Sequence, residues 1–333
     1  MRFSVLIPVR NEAPNLTTLL RSLAAQDYPA HAFEVILIND HSTDTTVEQI
    51  ESLRSQLPFS LRLLHLPDGV TQKKAALQQG ITAARFPLLV TTDGDCRVPP
   101  YWLASFAGFY RRHRSALISG GVCIRGEKSF FHHFQTVEFA SLIGTGGSLL
   151  GQGIPTMANG ANLCYEKAAF RAVGGFEGNW HIPSGDDEFL LRKIARRYPR
   201  RVHFLKSRAA VVRTRPQASW SAFVAQRRRW AGKWNVHRDR VTPLLAVGVF
   251  GFHLLHLLTW LLFFITFDAW LLTGILIKVG LEFALLRIWL HFLGADSLAT
   301  QILPTQLLHS AYVVLFGGLA QKKTYHWKGR RSE

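Results

Sequence analysis

Five short segments of the 333-residue chain carry residue types whose spacing can do chemistry. Asn39 and Asp40 close one apolar run, and Asp93-Gly94-Asp95 closes another. An Asp-x-Asp of this kind can hold a hard divalent cation, which in turn grips phosphate oxygens. A single acid in such a place is more often a turn or helix cap. Lys73 opens a helical segment, where its charge and the helix N-terminus both favour phosphate; alone, an exposed lysine is an equally good reading. Three acids, Asp186, Asp187 and Glu188, start an amphipathic stretch. They either complement the helix dipole or leave one carboxylate facing a cleft as a general base. Residues 226–230 (QRRRW) lie just ahead of an apolar block. Attraction to anionic headgroups accounts for the arginines and leaves Gln226 and Trp230 unexplained.

The elements that must position these residues are legible as alternating strands and helices. Residues 3–8 (FSVLIP), 34–40 (EVILIND), 61–66 and 87–92 (PLLVTT) are short apolar runs of the kind buried in parallel sheets. Between them, residues 15–25 and 73–84 have helical spacing, and Ser42 or Asp44 can cap a helix running to about residue 53. Strand, helix, strand at this repeat is a doubly wound α/β layer, whose ligands lie outside the carboxyl ends of the strands. Asp40, Asp93 and Asp95 fall at those ends. Dinucleotide binding is disfavoured, because no GxGxxG follows the first strand; a GxxxxGK[ST] phosphate loop is absent too.

Charge divides the chain further. The net charge is +17, yet residues 192–240 carry 16 basic side chains and one acidic one, while the first 191 residues are nearly balanced. The 25 residues 243–267 have no formal charge, long enough to cross a hydrocarbon core of about 30 Å. A second apolar stretch from Ala269 meets Lys278, Glu282 and Arg287; Lys278 and Glu282, four apart, can pair on one helical face, and a short return span leading into an interfacial helix is expected. A third uncharged stretch, 297–321, contains Pro304 and His309. The basic collar and the basic tail both favour the cytoplasmic side, which an even number of crossings satisfies, two being simplest. Nucleic-acid binding is the weaker reading of a charge that abuts a membrane segment. Cys96, Cys123 and Cys164 have no CxxC spacing, so reduced thiols in a cytosol-facing domain are expected. The N-terminal apolar run is too short for a signal-peptide core.

Taken in order, VLIPVRNE, EVILINDHSTD, KKAALQQG, TTDGDC, ANGANLCYEKAAF, GDDEFLL and QRRRW resemble a glycosyltransferase of family 2, the inverting class with a GT-A type fold. The resemblance covers essentially the whole chain, and its QxxRW is similar to that of cellulose, chitin and hyaluronan synthases and ceramide glucosyltransferases. It implies a mixed, mainly parallel sheet with helices on both faces in residues 1–240, including the basic collar 192–240. Transmembrane and interfacial helices would follow in 241–321, and a basic cytoplasmic tail in 322–333. By motif, Pro8, Asn11 and Glu12 would surround the nucleotide, Asp40 its base or ribose, Lys73 the base or diphosphate, and Asp93 the nucleotide. Asp95 would hold Mg²⁺ or Mn²⁺ on the diphosphate. Asp187 would be the catalytic base, with Asp186, Gln226, Arg229 and Trp230 at the acceptor and diphosphate. Asn159, Gly160 and Asn162 would shape the sugar pocket.

The resemblance also implies a function. A nucleoside-diphosphate sugar, with a UDP-sugar favoured, would donate to a hydroxyl of a lipid or lipid-linked acceptor. This would occur at a multi-pass cytoplasmic (inner) membrane protein whose catalytic domain faces the cytoplasm. A processive polysaccharide synthase subunit and a catalytically silent membrane scaffold are the alternatives. Three departures stand out: Asp186-Asp187 replaces the commoner Glu-Asp, Gln72 and Gln78 stand where Gly and Asn are frequent, and the apolar block is shorter than in polymer-extruding synthases.

Overall fold

The computed structural model describes residues 1–126, 129–182, 184–231, 241–319, 325–327 and 330–332. The chain divides into two compact units, Met1–Arg125 with Thr145–Arg215, and Gly126–Gly144 with Pro216–Glu333.

The first unit is built on a seven-stranded sheet. Its strands are β1 (Phe3–Val9), β2 (Phe33–Asn39), β3 (Ser60–His65), β4 (Leu88–Thr91), β5 (Leu117–Gly120), β7 (Leu163–Glu166) and β8 (Val202–Leu205), in the order β3-β2-β1-β4-β7-β5-β8. Every residue of β2 and all of β1 except Pro8 are buried, the condition of central strands covered on both faces. The covering helices include α1 (Ala13–Ala24), α2 (Thr46–Arg54), α3 (Lys73–Ala83) and α4 (Trp102–His113). In α1, Leu16, Leu19, Leu20 and Leu23 are buried at the three-four spacing of one helical face. The expected strands and helices are thus present, with ends displaced by one or two residues.

Strand direction decides where the functional loops meet. β1, β2, β3 and β4 run parallel, whereas β7 runs antiparallel to β4, with Thr91 opposite Leu163. The carboxyl end of β4 therefore lies beside the amino end of β7. Residues 159–162, just before β7, join the loops that follow β1, β2 and β4. A small ribbon, β6 (Val122–Ile124) paired parallel with β9 (Val212–Thr214), lies apart from the main sheet. Arg97 bridges to Arg213 beside it.

Helix α7 (Asp186–Arg197) carries the acidic cluster at its first turn. It starts at Gly185, whose φ of 79° is a left-handed conformation suited to glycine. Lys74, almost fully buried, donates from Nζ to the carbonyls of Asn179 and Ile182, both at 2.7 Å, and faces the Phe189 ring at 5.5 Å. One lysine thereby ties the segment leading into α7 to the start of α3.

The second unit is helical: the first part of α5 (Phe130–Gly151), then α8 (Trp220–Ala231), α9 (Val241–Thr266), α10 (Ala269–Phe292) and α11 (Ile302–Leu319). Phe223 of α8 is fully buried among Phe131, Phe134, Tyr312 and Phe316, with ring centroids 5.7–6.1 Å away. Among the described residues two helices are long and apolar enough to cross a membrane, over Pro243–Thr266 and Ala269–Phe292. Their mean hydropathies are 1.9 and 1.8, and only 11% and 6% of the respective apolar windows are buried by the protein itself. Two residues, Phe267 and Asp268, connect them, and Asp268 caps α10 by accepting from the Trp270 and Leu271 amides at 2.7 and 3.3 Å. The stretch from Ala269 is one continuous helix, and inside it Lys278 pairs with Glu282 at 2.8 Å.

Candidate functional site

The loops after β1 and β2 are stitched together. Asn11, at φ 52°, accepts from the Thr43 amide at 2.8 Å, and its own amide donates to the Ser42 hydroxyl at 3.0 Å. Glu12 is buried; its amide donates to the Thr46 hydroxyl at 2.9 Å and its carboxylate accepts from Asn15 at 2.8 Å. Pro8 is the one β1 residue that is not fully buried. Asp40 follows β2, and its carboxylate accepts from the Gln72 amide at 3.2 Å and faces His41 at 3.2 Å. Arg10 clamps this corner by donating to the Asp40 and His41 carbonyls at 2.7 and 3.0 Å.

Lys73 is the centre of the site. Its Nζ lies 2.7 Å from Asp93 and 3.5 Å from Asp186. Asp187 stands alongside, with Oδ2 accepting from the Gly160 amide at 2.8 Å and Oδ1 from the Glu188 amide at 2.7 Å. Burial works to lower the Lys73 pKa, but the carboxylates of Asp186, Asp93 and Asp187 override it and hold the ammonium well above its ordinary value. Gly160 is the hub: a Cβ there would approach Lys73 Nζ at 3.1 Å, Asp186 at 3.2 Å and Asp187 at 3.6 Å. Its carbonyl accepts from the Thr91 hydroxyl at 2.6 Å, and Asn159 caps the same turn through the Ala161 amide at 2.9 Å.

Structure separates residues that the motif groups together. Asn162 is fully buried and occupied as scaffold, accepting from the Trp102 indole and donating to the Gly121 and Ala210 carbonyls, each at 2.8 Å. These three bonds make it a structural tie between the segments before β6, β7 and β9. Glu188 likewise turns inward and pairs with Arg192 at 2.7 Å.

Asp95 borders a cavity of about 210 Å³ lined by Asn15, Thr18, Cys96, Arg97, Arg125, Arg213, Thr214 and Arg215. The donor chemistry here fits a hard divalent cation. Asp93 and Asp95 present carboxylates from one turn, and Gly94 packs so closely that a Cβ would meet the Glu12 side chain at 2.7 Å. No cluster of three or more such ligands occurs among the described residues. One or two protein carboxylates, completed by phosphate oxygens and water, is an ordinary complement for Mg²⁺. All three cysteines are free and buried. Burial, reinforced by Asp95 and Asp93, pushes the Cys96 thiol far up, and Cys123 is raised to about 11, so neither supplies a thiolate at neutral pH.

Gln226, Arg229 and Trp230 lie on α8 in the second unit. The residue between them that sequence reasoning passed over, Arg227, is the buried one. It pairs with both carboxylate oxygens of Glu138, at 3.1 and 2.5 Å, and lies 4.4 Å from the ring centroids of both Phe223 and Trp230. Tyr312 donates to the same Glu138 at 3.0 Å. Trp230 therefore stacks on Arg227, which anchors its helix.

An open mixed sheet, with acids and a lysine gathered outside the carboxyl ends of its strands, is the architecture of a GT-A nucleotide-sugar-binding domain. Residues 4–174, just over half the chain, match Glycosyl transferase family 2, and the chain belongs to that family. The matched region ends before Asp186, Asp187 and α8.

Among curated relatives, the poly(ribitol-phosphate) β-N-acetylglucosaminyltransferase TarS of Staphylococcus aureus is 33% identical over 118 residues, 35% of this chain and 20% of that protein. Poly-β-1,6-N-acetyl-D-glucosamine synthase of Staphylococcus epidermidis is 29% identical over 177 residues, 51% and 41%. Dodecaprenyl-phosphate galacturonate synthase of Rhizobium johnstonii is 32% identical over 122 residues, 36% of each. The matches thus span about a fifth to two-fifths of those relatives' lengths. Two solved structures share the fold. S. aureus TarS 1–349 in complex with UDP has a TM-score of 0.51 and 17% identity, covering 99% of this chain and 96% of that one. The mannosyltransferase PcManGT from Pyrobaculum calidifontis, in complex with GDP-Man and Mn²⁺, has 0.57 and 17%, covering 92% and 87%.

Proposed function

We propose that the chain transfers a sugar from a nucleoside-diphosphate sugar to a hydroxyl of a lipid or lipid-linked acceptor at the cytoplasmic face of a membrane, with inversion at the anomeric carbon. The observation that carries this reading is the Lys73 cluster: one ammonium held between Asp93 and Asp186, with Asp187 fixed beside it on the Gly160 amide. Pro8, Asn11, Glu12 and Asp40 form the nucleotide side of the cleft, and Asp93 and Lys73 meet the donor. Two backbone N–H groups orient the Asp187 carboxylate and leave other lone pairs to take a proton. Asp187 removes the proton from the acceptor hydroxyl, whose oxygen attacks the anomeric carbon as the nucleoside diphosphate departs from the opposite face. One displacement inverts the configuration.

Asp95, with Asp93, would hold Mg²⁺ or Mn²⁺, which when bound supplies positive charge to the leaving diphosphate. Relatives and neighbours support the parts of this reading. TarS has been solved with UDP, PcManGT with GDP-Man and Mn²⁺, and one relative is named for a dodecaprenyl-phosphate product. The exposed hairpin α9–α10 supports a membrane anchor of two crossings, with the catalytic domain and both basic flanks on the cytoplasmic side. Gln226, Arg229 and Trp230 are assigned to the acceptor end.

A second reading, a processive synthase, is favoured by the match to poly-β-1,6-N-acetyl-D-glucosamine synthase across half the chain. Product length separates the two. The first test is binding and hydrolysis of a panel of nucleotide sugars by the detergent-purified protein with Mn²⁺, Mg²⁺ or chelator. Metal-dependent release of one nucleoside diphosphate is the expected result. A folded protein that binds no donor would overturn the reading in favour of a silent scaffold.

A further inference from the structure

The arginines around Asp95 form a second charged region within the first unit. Arg97, Arg125, Arg213 and Arg215 line one cavity but come from three separate segments. Arg97 follows the Asp93–Asp95 turn, Arg125 follows β6, and Arg213 and Arg215 lie on and just after β9. Main-chain pairing gathers them. The Arg97 amide donates to the Arg213 carbonyl at 2.7 Å, the Arg213 amide donates back to the Arg97 carbonyl at 2.9 Å, and the Arg125 amide donates to the Thr214 carbonyl at 2.8 Å.

Among the described residues, none of these four guanidiniums is ion-paired with a carboxylate. Arg192, Arg201 and Arg227 by contrast each meet a glutamate, at 2.7, 2.7 and 2.5 Å. Asp95 is the one acid in the lining. Four like charges gathered at the ribbon repel, and the single carboxylate in the lining offsets them only in part. Partial desolvation at the cavity wall and the neighbouring Arg125 also hold Arg213 below its ordinary pKa.

We propose that this cavity binds a phosphate or phosphodiester group of the acceptor, so that the acceptor is an anion. The proposal rests on the donor reading above. A tetrahedral phosphate offers several oxygens to several planar guanidinium forks, which a carboxylate with two oxygens does not. The site is concave, and α1 contributes Asn15 and Thr18, three apart on one helical face; a diffuse lipid surface needs neither feature. The donor's own diphosphate is the less suitable occupant. None of Lys73, Asp93, Asp186 and Asp187 lines the cavity, and Asp95 alone is shared with the donor side. Asp95 thus stands between the two sites, where an acceptor anchored by its phosphate would meet the donor.

The test uses the full chain in detergent and the variants Arg97→Ala and Arg125→Ala/Arg213→Ala. All three side chains are exposed, and unchanged melting establishes that each variant is folded. Binding is measured for farnesyl phosphate, farnesol, glycerol 3-phosphate and a nucleoside diphosphate panel. Farnesyl phosphate is expected to bind more tightly than farnesol, and the double variant to weaken it by about tenfold or more, with nucleoside diphosphate affinity unchanged. Arginine-dependent binding of glycerol 3-phosphate at equal strength would support the same site with a soluble phosphate ester as its source. Equal binding of farnesyl phosphate and farnesol, or of farnesyl phosphate to wild type and variants, would overturn the proposal while nucleotide binding leaves the donor reading standing. Parallel loss of nucleoside diphosphate would also overturn it, by assigning the arginines to the donor. Failure of the folded wild type to bind any nucleotide would overturn the donor reading, and the acceptor role with it.

Discussion

The two edges of the main sheet treat buried charge in opposite ways. At the amino edge, Glu34 is almost fully buried, yet the Ser4 hydroxyl and the Arg85 amide both donate to it at 2.7 Å, and the Arg85 guanidinium pairs with it at 3.0 Å. Acid and cation are matched there, and the result is a joint between β1, β2 and the segment entering β4. At the carboxyl edge the opposite charges are unequal in number among the described residues. Lys73 is shared among three carboxylates, and four arginines face one aspartate nearby. Matched charge holds a fold together; unmatched charge raises its energy and is neutralised by a ligand. The difference is testable, because substitutions at one edge should move stability and at the other activity.

The largest effect is expected from Asp187→Asn. The amide keeps an oxygen for the Gly160 N–H, loses the second acceptor used by the Glu188 N–H, and cannot take the acceptor proton. Transfer should fall by about 10²–10⁴-fold. Nucleotide affinity should be unchanged, and the melting temperature should fall only slightly, through the lost Glu188 bond and the weaker field on Lys73. Near-normal turnover would remove Asp187 from the chemistry, and a matching loss of stability would put it in the scaffold with Glu188.

At the matched edge the pattern should reverse. Glu34→Ala strips the Ser4 hydroxyl, the Arg85 amide and a guanidinium of their common acceptor. The loss of stability should be about 3 kcal/mol, read as a shift in the denaturation midpoint. The fraction that remains folded should keep the wild-type KM for donor. A selective change in KM with unchanged stability would show the two edges are not separable in this way.

Asp44 joins the loops nearest the carboxyl edge, and its charge has a predictable pH signature. Burial works to raise its pKa, but the Thr46 hydroxyl and the Ala13 and Thr46 amides outweigh it, so the carboxyl titrates below its ordinary value. A depressed folded pKa means stability that is fully present above the unfolded value, near 4. It is lost as pH falls through the folded value. Asp44→Asn should cost about 1 kcal/mol at pH 7 and progressively less toward pH 3. A difference between variant and wild type that stays constant with pH would assign the effect to shape alone.

How much of this was legible in the sequence follows from what each feature depends on. The parallel strands and their helices were readable because continuous apolar runs bounded by polar residues need only local spacing. The placing of Asp40, Asp93 and Asp95 together was readable because a strand end is a position in sequence as well as in space. The antiparallel course of β7 was not, since LCYE has no directional signal, yet that reversal is what brings Gly160 to Asp187. Lys73 and Lys74 are identical in type. Only the helix turn between them sends one to three carboxylates and the other to two carbonyls. The arginine cavity was invisible for a similar reason. Arg97 and Arg215 are 118 positions apart, and in a chain with this charge neither looks unusual.

Gln72 gives the finest test, because there the sequence departure and the structure coincide. It occupies the position where the family often has glycine, and its φ of 93° and ψ of 149° lie in a region that is nearly glycine's alone. The conformation persists because the Gln72 amide donates to Asp40 at 3.2 Å, tying the start of α3, and so Lys73, to the end of β2. A glycine would keep that bond and release the strain, offset in part by the greater freedom of the unfolded chain. Gln72→Gly should therefore stabilise the protein by about 0.5–1 kcal/mol, with donor affinity unchanged or slightly improved. Destabilisation with weaker donor binding would mean that the Gln72 side chain itself contacts the nucleotide, which would move this residue from the frame of the carboxyl edge into its site.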